Sequence, residues 1–270
     1  MTEPFADRLA ALVEERRSQV CLGLDPAPGD GAAVSARCRE LIAAAGEACV
    51  AVKCQLACFE RLGAPGYEAL REVVAGARAA GLLVIADGKR GDVPVTAAAY
   101  GEALFGEQPG LGADAATASP LLGGDAIEPL VAAAEDGGAG LFVLVRTSNP
   151  GAADLFDLPT PDVPLHERIA AMVAERSERL VGRSGLSGMG AVVGATEPQH
   201  LGRLRELMPS AVFLIPGLGA QGGDPAALGP ALGEHPASIL VPASRSIAGA
   251  EDPAAAAEAL RAQLWSLTDG

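Results

Sequence analysis

Lysine is almost absent from this chain: of 20 basic residues only Lys53 and Lys89 are lysines, and the remainder are arginines. Arginine stays protonated at any workable pH, whereas lysine is a compact ammonium able to release its proton, so a chain this biased keeps lysine where arginine would fail. Positive charge is scarce altogether. With 34 acidic residues the formal net charge is −14, and that field disfavours nucleic acid and anionic membranes as partners. A phosphate-bearing ligand would need a local cationic pocket. No run approaches the ~18 uncharged apolar residues of a membrane span. The segment Met1 to Asp7 lacks the basic and apolar regions of a secretory leader, so the expected location is cytoplasmic. A zinc set is missing too. His166, His200 and His235 are scattered, and no second pair completes Cys54 and Cys58. The five cysteines (Cys21, Cys38, Cys49, Cys54, Cys58) are an odd number in a chain long enough to fold without staples, and they read as packed thiols rather than disulfides.

What is present is a regular alternation. Apolar runs recur at Val20–Leu24, Cys49–Val52, Leu82–Ala86, Ala113–Thr117, Leu141–Val145, Ala191–Gly194, Val212–Ile215 and Ile239–Val241, eight candidate strands separated by Ala/Glu/Arg-rich stretches. In those stretches apolar residues recur at helical spacing, as in Leu70, Val73, Val74 and Ala77, or Ile169, Met172 and Val173 with Arg176 on the same turning face. Nearly uninterrupted apolar strands imply burial on both faces, hence a parallel sheet covered by helices. Eight such units in 270 residues, with no linker, predict one α/β domain over residues 1–270, a (β/α)8 TIM barrel. An open doubly wound sheet fits less well, since no Gly-x-Gly-x-x-Gly follows the first strand. A helix around Asp7 to Arg17 would close the barrel bottom.

A barrel puts its chemistry just beyond the strand ends. Asp25 follows the first run, Lys53 ends the second, Asp87 and Lys89 follow the third, Ser119 the fourth, Arg146 the fifth and Arg245 the eighth. Polar residues begin wherever apolar strands end, which accounts for part of this list but poorly for both lysines. Lys53, Asp87, Lys89 and Asp92 alternate in sign, so opposite charges favour the ionised form of each neighbour; a rim of ion pairs without catalysis would look the same. Asp92 precedes Val93-Pro94, where an acid can also serve the start of a helix. Pro216 to Asp224 is a glycine-rich loop after the seventh run, and Arg245 stands on the next one. A simple turn is one reading of that loop; with the arginine beside it, a phosphate site is the other. Asn149 to Pro164 reads as a variable surface loop in preference to a lid.

Asp87-x-Lys89-x-x-Asp92-x-Pro94-x-Thr96 resembles the signature of the orotidine 5′-phosphate decarboxylase family. Similarity extends over Leu22–Pro26, Val52–Glu60, Arg146–Gly151, Val193–Thr196, Pro216–Asp224 and Ser244-Arg245, with wording like that of the second bacterial subgroup. The resemblance implies cofactor-independent, metal-free decarboxylation of orotidine 5′-monophosphate (OMP) to uridine 5′-monophosphate (UMP), the last step of de novo pyrimidine nucleotide synthesis. Lys89 would deliver a proton to C6 as carbon dioxide leaves, and Asp87 would lie against the departing carboxylate. Asp25 and Lys53 would hold the ribose hydroxyls and the charge network. Ser119 would meet the pyrimidine amide edge. Gln221, Gly222, Gly223 and Arg245 would grip the phosphate, and Pro216 would join them in binding the substrate. Asp92 and Thr96 would reach the neighbouring subunit's site in a homodimer. Cys54 and Cys58 depart from the proline and larger apolar residue expected there.

Three other readings stay open on the residues alone. A relative with the same Asp-x-Lys-x-x-Asp element uses magnesium on a sugar phosphate; two lysines leave few oxygen ligands for it. Schiff-base chemistry at Lys89 would need a depressed pKa, against two flanking carboxylates. A phosphate-binding barrel without turnover is the third.

Overall fold

In the computed structural model, which describes residues 3–107, 109–218 and 223–268, eight parallel strands hydrogen-bond in sequence order and the last closes on the first. The strands are β1 (Val20–Leu24), β2 (Ala51–Gln55), β3 (Leu83–Arg90), β4 (Ala115–Ala118), β5 (Gly140–Arg146), β6 (Ser187–Val193), β7 (Ala211–Leu214) and β8 (Ile239–Ala243). The predicted (β/α)8 barrel is the architecture observed. β1, β5, β6 and β7 are buried along their whole length, as strands walled by helices outside and by other strands' side chains inside must be.

The helices are α1 (Phe5–Arg16), α2 (Gly31–Ala45), α3 (Leu56–Glu60), α4 (Ala64–Ala79), α5 (Pro94–Phe105), α6 (Gly124–Gly137), α7 (Ala153–Phe156), α8 (Leu165–Ser177), α9 (Gln199–Leu207), α10 (Arg245–Ala248) and α11 (Pro253–Trp265). Their ends follow local chemistry. Asp30 and Asp252 cap α2 and α11 by accepting the N–H groups of Ala33 and Ala255. Pro94 and Pro253 occupy first-turn positions, where a missing N–H costs nothing. The predicted face Leu70, Val73, Val74 and Ala77 of α4 is buried; on α8 Ile169 and Val173 are buried while Met172 and Arg176 are half-buried. The bottom is closed by α1, as expected. Phe5 meets Phe142 edge to face at 5.9 Å, and Asp7 accepts the N–H groups of Arg183 and Ser184 ahead of β6.

Most strand ends differ from the expected runs by a few residues, and two of these differences bear on the site. β2 runs on to Gln55 and β3 to Arg90, so Lys53 lies inside its strand rather than at its end, and Asp87 and Lys89 belong to β3 itself rather than to the loop after it. Charged residues ordinarily mark a strand's end because burial penalises an isolated charge; here they neutralise one another inside the barrel mouth. β3 also loses register against β4 between Ala86 and Arg90. The irregularity re-aims the side chains at the place where the barrel opens.

Candidate active site

On a strand residues two apart share a face, which places Lys53 with Gln55 and Asp87 with Lys89. The β2–β3 register pairs Gln55 with Asp87. All four line one cavity of about 610 Å3 at the C-terminal mouth of the barrel, together with Asp25, Thr117, Pro216 and Arg245. Its apolar wall comes from Leu144, Val192 and Leu214 on β5, β6 and β7. Gly23 on β1 is required by close approach: a Cβ there would stand 2.7 Å from that of Ser244.

Asp87 is the hub. Its Oδ2 accepts from Lys53 Nζ at 2.6 Å and Gln55 Nε2 at 3.3 Å, while its Oδ1 accepts from Lys89 Nζ at 2.7 Å and Thr117 Oγ1 at 2.9 Å. Burial alone would raise the Asp87 pKa, but Lys53 and then Lys89 overcome it and hold the group down to about 2. Lys53 is the mirror case. Burial would discharge its ammonium, yet Asp87, with Asp25 at 4.0 Å, carries its pKa above the ordinary lysine value. Lys89 differs in exposure: its side chain is 44% accessible against 11% for Lys53, so both line the cavity but Lys89 is the more open to it.

Not every predicted residue joins this group. Ser119 is not part of the cavity lining; its N–H donates to the Arg90 carbonyl, beside the bulge. The hydroxyl residues that do line the cavity on the neighbouring β5 loop are Thr147 and Ser148. Asp92 and Thr96 also lie outside the lining, at the start of α5. Asp92 is half-buried and accepts the N–H of Val93, and Thr96 is exposed in the same first turn as Val93 and Val95. Gly223 donates its N–H to the carbonyl of Gly217, whose φ of +108° suits only glycine. Gln221 and Gly222 lie outside the described residues.

Arg146 corrects a second expectation. It does not open into the cavity but turns into the protein, where Nε and Nη2 each bind an Asp157 carboxylate oxygen at 2.9 Å. That pair clamps the segment read from sequence as a surface loop. Residues 150–156 form a helical turn followed by α7, and Asn149, Gly151, Ala152, Leu155 and Phe156 complete the cavity wall. Sequence reading also missed Gln55, Thr147, Ser148 and Thr117. The two-residue spacing from Lys53 marked Gln55 once β2 was extended; Thr117 carried only the signal of a polar residue closing an alanine-rich run.

The five cysteines are free, and burial drives the Cys38, Cys49 and Cys54 thiols up to about 12 and raises Cys21 well above the ordinary thiol value. Among the described residues no three His, Cys, Asp or Glu side chains gather as a metal-ligand set. No described helix is long and apolar enough to cross a membrane.

Residues 18–260 match the model of the orotidine 5′-phosphate decarboxylase / HUMPS family. The orotidine 5′-phosphate decarboxylase of Deinococcus radiodurans is 42% identical over 252 residues, covering 92% of this chain and 90% of that protein. That of Rhodopirellula baltica is 39% identical over 264 residues, covering 90% and 87%. The structure of Leishmania donovani OMP decarboxylase superposes with a TM-score of 0.85 at 37% identity, covering 99% of this chain and all of that one.

Proposed function

Because the chain belongs to the orotidine 5′-phosphate decarboxylase / HUMPS family, we propose that the charged cavity at the barrel mouth is where its chemistry occurs. The reaction is decarboxylation of OMP to UMP in pyrimidine biosynthesis, a carboxy-lyase activity. The observation that carries the site assignment is Lys89: an ammonium held 2.7 Å from a buried carboxylate and open to a cavity of nucleotide size.

Loss of carbon dioxide from C6 leaves an electron pair on a vinylic carbon with no adjacent sink. Such a reaction belongs with the slowest uncatalysed ones, where the barrier must fall by up to about 23 kcal/mol. Repulsion between Asp87 and the substrate carboxylate is too small to dominate, since two charges about 4 Å apart at an effective dielectric near 20 interact by about 4 kcal/mol. The larger effect is attraction between the developing carbanion and the Lys89 ammonium in a water-poor site. Lys89 then gives its proton to C6, the C–C bond pair having moved onto that carbon. Asp87 keeps its charge throughout, and Lys53 beneath it offsets the cost of burying it.

The distal end of the cavity takes the phosphate. Arg245, exposed at its rim beside Ser244 and Ser246, is a planar two-pronged donor, with Pro216 and Gly217, after the preceding strand β7, in the same lining. Binding energy spent there, remote from C6, helps assemble the reacting end. Asp25 and Lys53 are assigned to the ribose side. For the pyrimidine amide edge, Ser148 and Thr147 replace Ser119, because they line the cavity and Ser119 does not.

The active species is a homodimer in which Asp92 and Thr96 serve the partner's site. In support, the first turn of α5, which carries Thr96, also exposes Val93 and Val95, the latter 85% accessible. The whole chain is read as one barrel domain. A cytoplasmic location accords with five free thiols. Purified protein given OMP, with EDTA and no added cofactor, should bleach the substrate's absorbance and yield UMP. Turnover that depends on added metal, or binding without turnover, would overturn the reading.

A further inference from the structure

Lys89 has a backbone problem that the proposed chemistry leaves unsolved. Its φ is +48°, one of two positive values at non-glycine positions among the described residues, in a region that L side chains occupy only when their surroundings hold them there. It also falls within the irregular stretch where β3 slips against β4, and its N–H finds a partner at the Thr117 hydroxyl, 2.9 Å away. With a side chain 44% accessible, Lys89 cannot owe the place of its ammonium to packing.

Thr117 answers both needs with one atom. A backbone N–H can only donate, so Thr117 Oγ1 accepts from Lys89, and its own proton is therefore free to go to Asp87 Oδ1, 2.9 Å away. That carboxylate oxygen is the one which receives Lys89 Nζ. The hydroxyl thus ties the main chain of Lys89 to the acceptor of its side chain, closing a loop of three hydrogen bonds around the ammonium. Thr117 is 2% exposed, so solvent offers little substitute for either bond.

We propose that Thr117 is a positioning residue for the decarboxylation, holding the Lys89 backbone and the Asp87 carboxylate together so that the ammonium meets the reacting carbon. This rests on the reading of Lys89 as the proton donor. Thr117 is not placed against the substrate's phosphate or ribose, so its loss falls on turnover and spares binding.

The test compares Thr117→Val, which keeps the shape and removes the hydroxyl, with Thr117→Ser, which keeps the hydroxyl. Thr117→Val should lower kcat by about 10- to 100-fold, the usual cost of losing a hydrogen bond to a charged group and leaving a buried donor bare. Its KM for OMP and its Kd for UMP should stay within about twofold of the parent, and Thr117→Ser should recover kcat to within about threefold. Should Thr117→Val fail to fold, Thr117→Ala removes the same hydroxyl without adding bulk and is read against the serine variant. Unchanged kcat in the valine or alanine variant overturns the proposal, as do equal losses with serine or a loss confined to KM. An unsubstituted protein that left OMP intact would instead overturn the assigned reaction, whatever the variants did.

Discussion

Asp87 carries four hydrogen bonds on one carboxylate, two of them from ammonium groups, and that attraction outweighs burial, holding its pKa down to about 2 against an ordinary 3.8. A carboxyl whose folded pKa lies below its unfolded one stabilises the fold fully above the unfolded value. That contribution fades as pH falls from about 4 towards 2 and amounts to about 2 kcal/mol. Urea midpoints measured across that interval should drop more steeply for the parent protein than for Asp87→Asn; parallel slopes would contradict the ion-pair account. Arg245, in the same lining, carries the proposed phosphate contact. Arg245→Ala should raise KM for OMP by about tenfold or more and leave slow turnover of the phosphate-free nucleoside nearly unchanged. Steady-state kinetics on both substrates decides it, since equal losses would remove the phosphate role.

At the scale of elements, the segment between β5 and α8 shows how a loop becomes a wall. Arg146 is 5% exposed at its side chain and bidentate to Asp157, whose pKa is lowered chiefly by that hydrogen-bonded contact. His166 binds the Phe156 carbonyl at 2.8 Å and packs edge to face on His200 at 4.8 Å, joining α8 and α9 to the same knot. Asp157→Asn would leave the guanidinium without a counter-charge. Stability should fall by about 2 kcal/mol, discounted from the fully buried case because Asp157 is partly accessible. KM should rise as Leu155 and Phe156 lose their seat, with kcat changing less. Thermal melts and steady-state kinetics together check it; an unchanged KM would mean that the wall stands without the clamp. The strands themselves were legible in the sequence because each is built on a nearly uninterrupted apolar run. Their ends were less so. A charge such as Asp87 reads as a stop signal until its neutralising partners, Lys53 from another strand and Lys89 beyond a bulge, are brought beside it.

On the whole molecule, the site as proposed is complete only when two copies meet. Lys89→Ala and Asp92→Asn chains should each be inactive as homodimers. After mixing and subunit exchange, half the dimers carry one of each, and each of those has one site with both groups intact. Activity should therefore return to about a quarter of the parent's. Mixtures that stay silent while sedimentation shows mixed dimers would refute the shared site. The same scale accounts for the chain's charge. An excess of acids over the surface leaves the few cations that matter, Lys53, Lys89 and Arg245, gathered at one mouth, where phosphate and carboxylate of one substrate can both be met.

By itself the sequence determined the barrel, because eight buried strands at regular spacing have few other ways to hide both faces, and it determined which residue types could do the chemistry, because two lysines among 20 basic residues stand out. Whether those residues meet was decided only by tertiary structure. The β2–β3 register brought Lys53 and Gln55 against Asp87, and the break between β3 and β4 turned Lys89 onto Thr117. Arg146 was turned away from the mouth to hold Asp157, and Thr147 and Ser148 line the cavity where Ser119 does not. The physical reason is that apolar periodicity is a local property of the chain, whereas hydrogen-bond partners 30 or more residues apart, as Lys53 and Asp87 are, exist only once the sheet has closed.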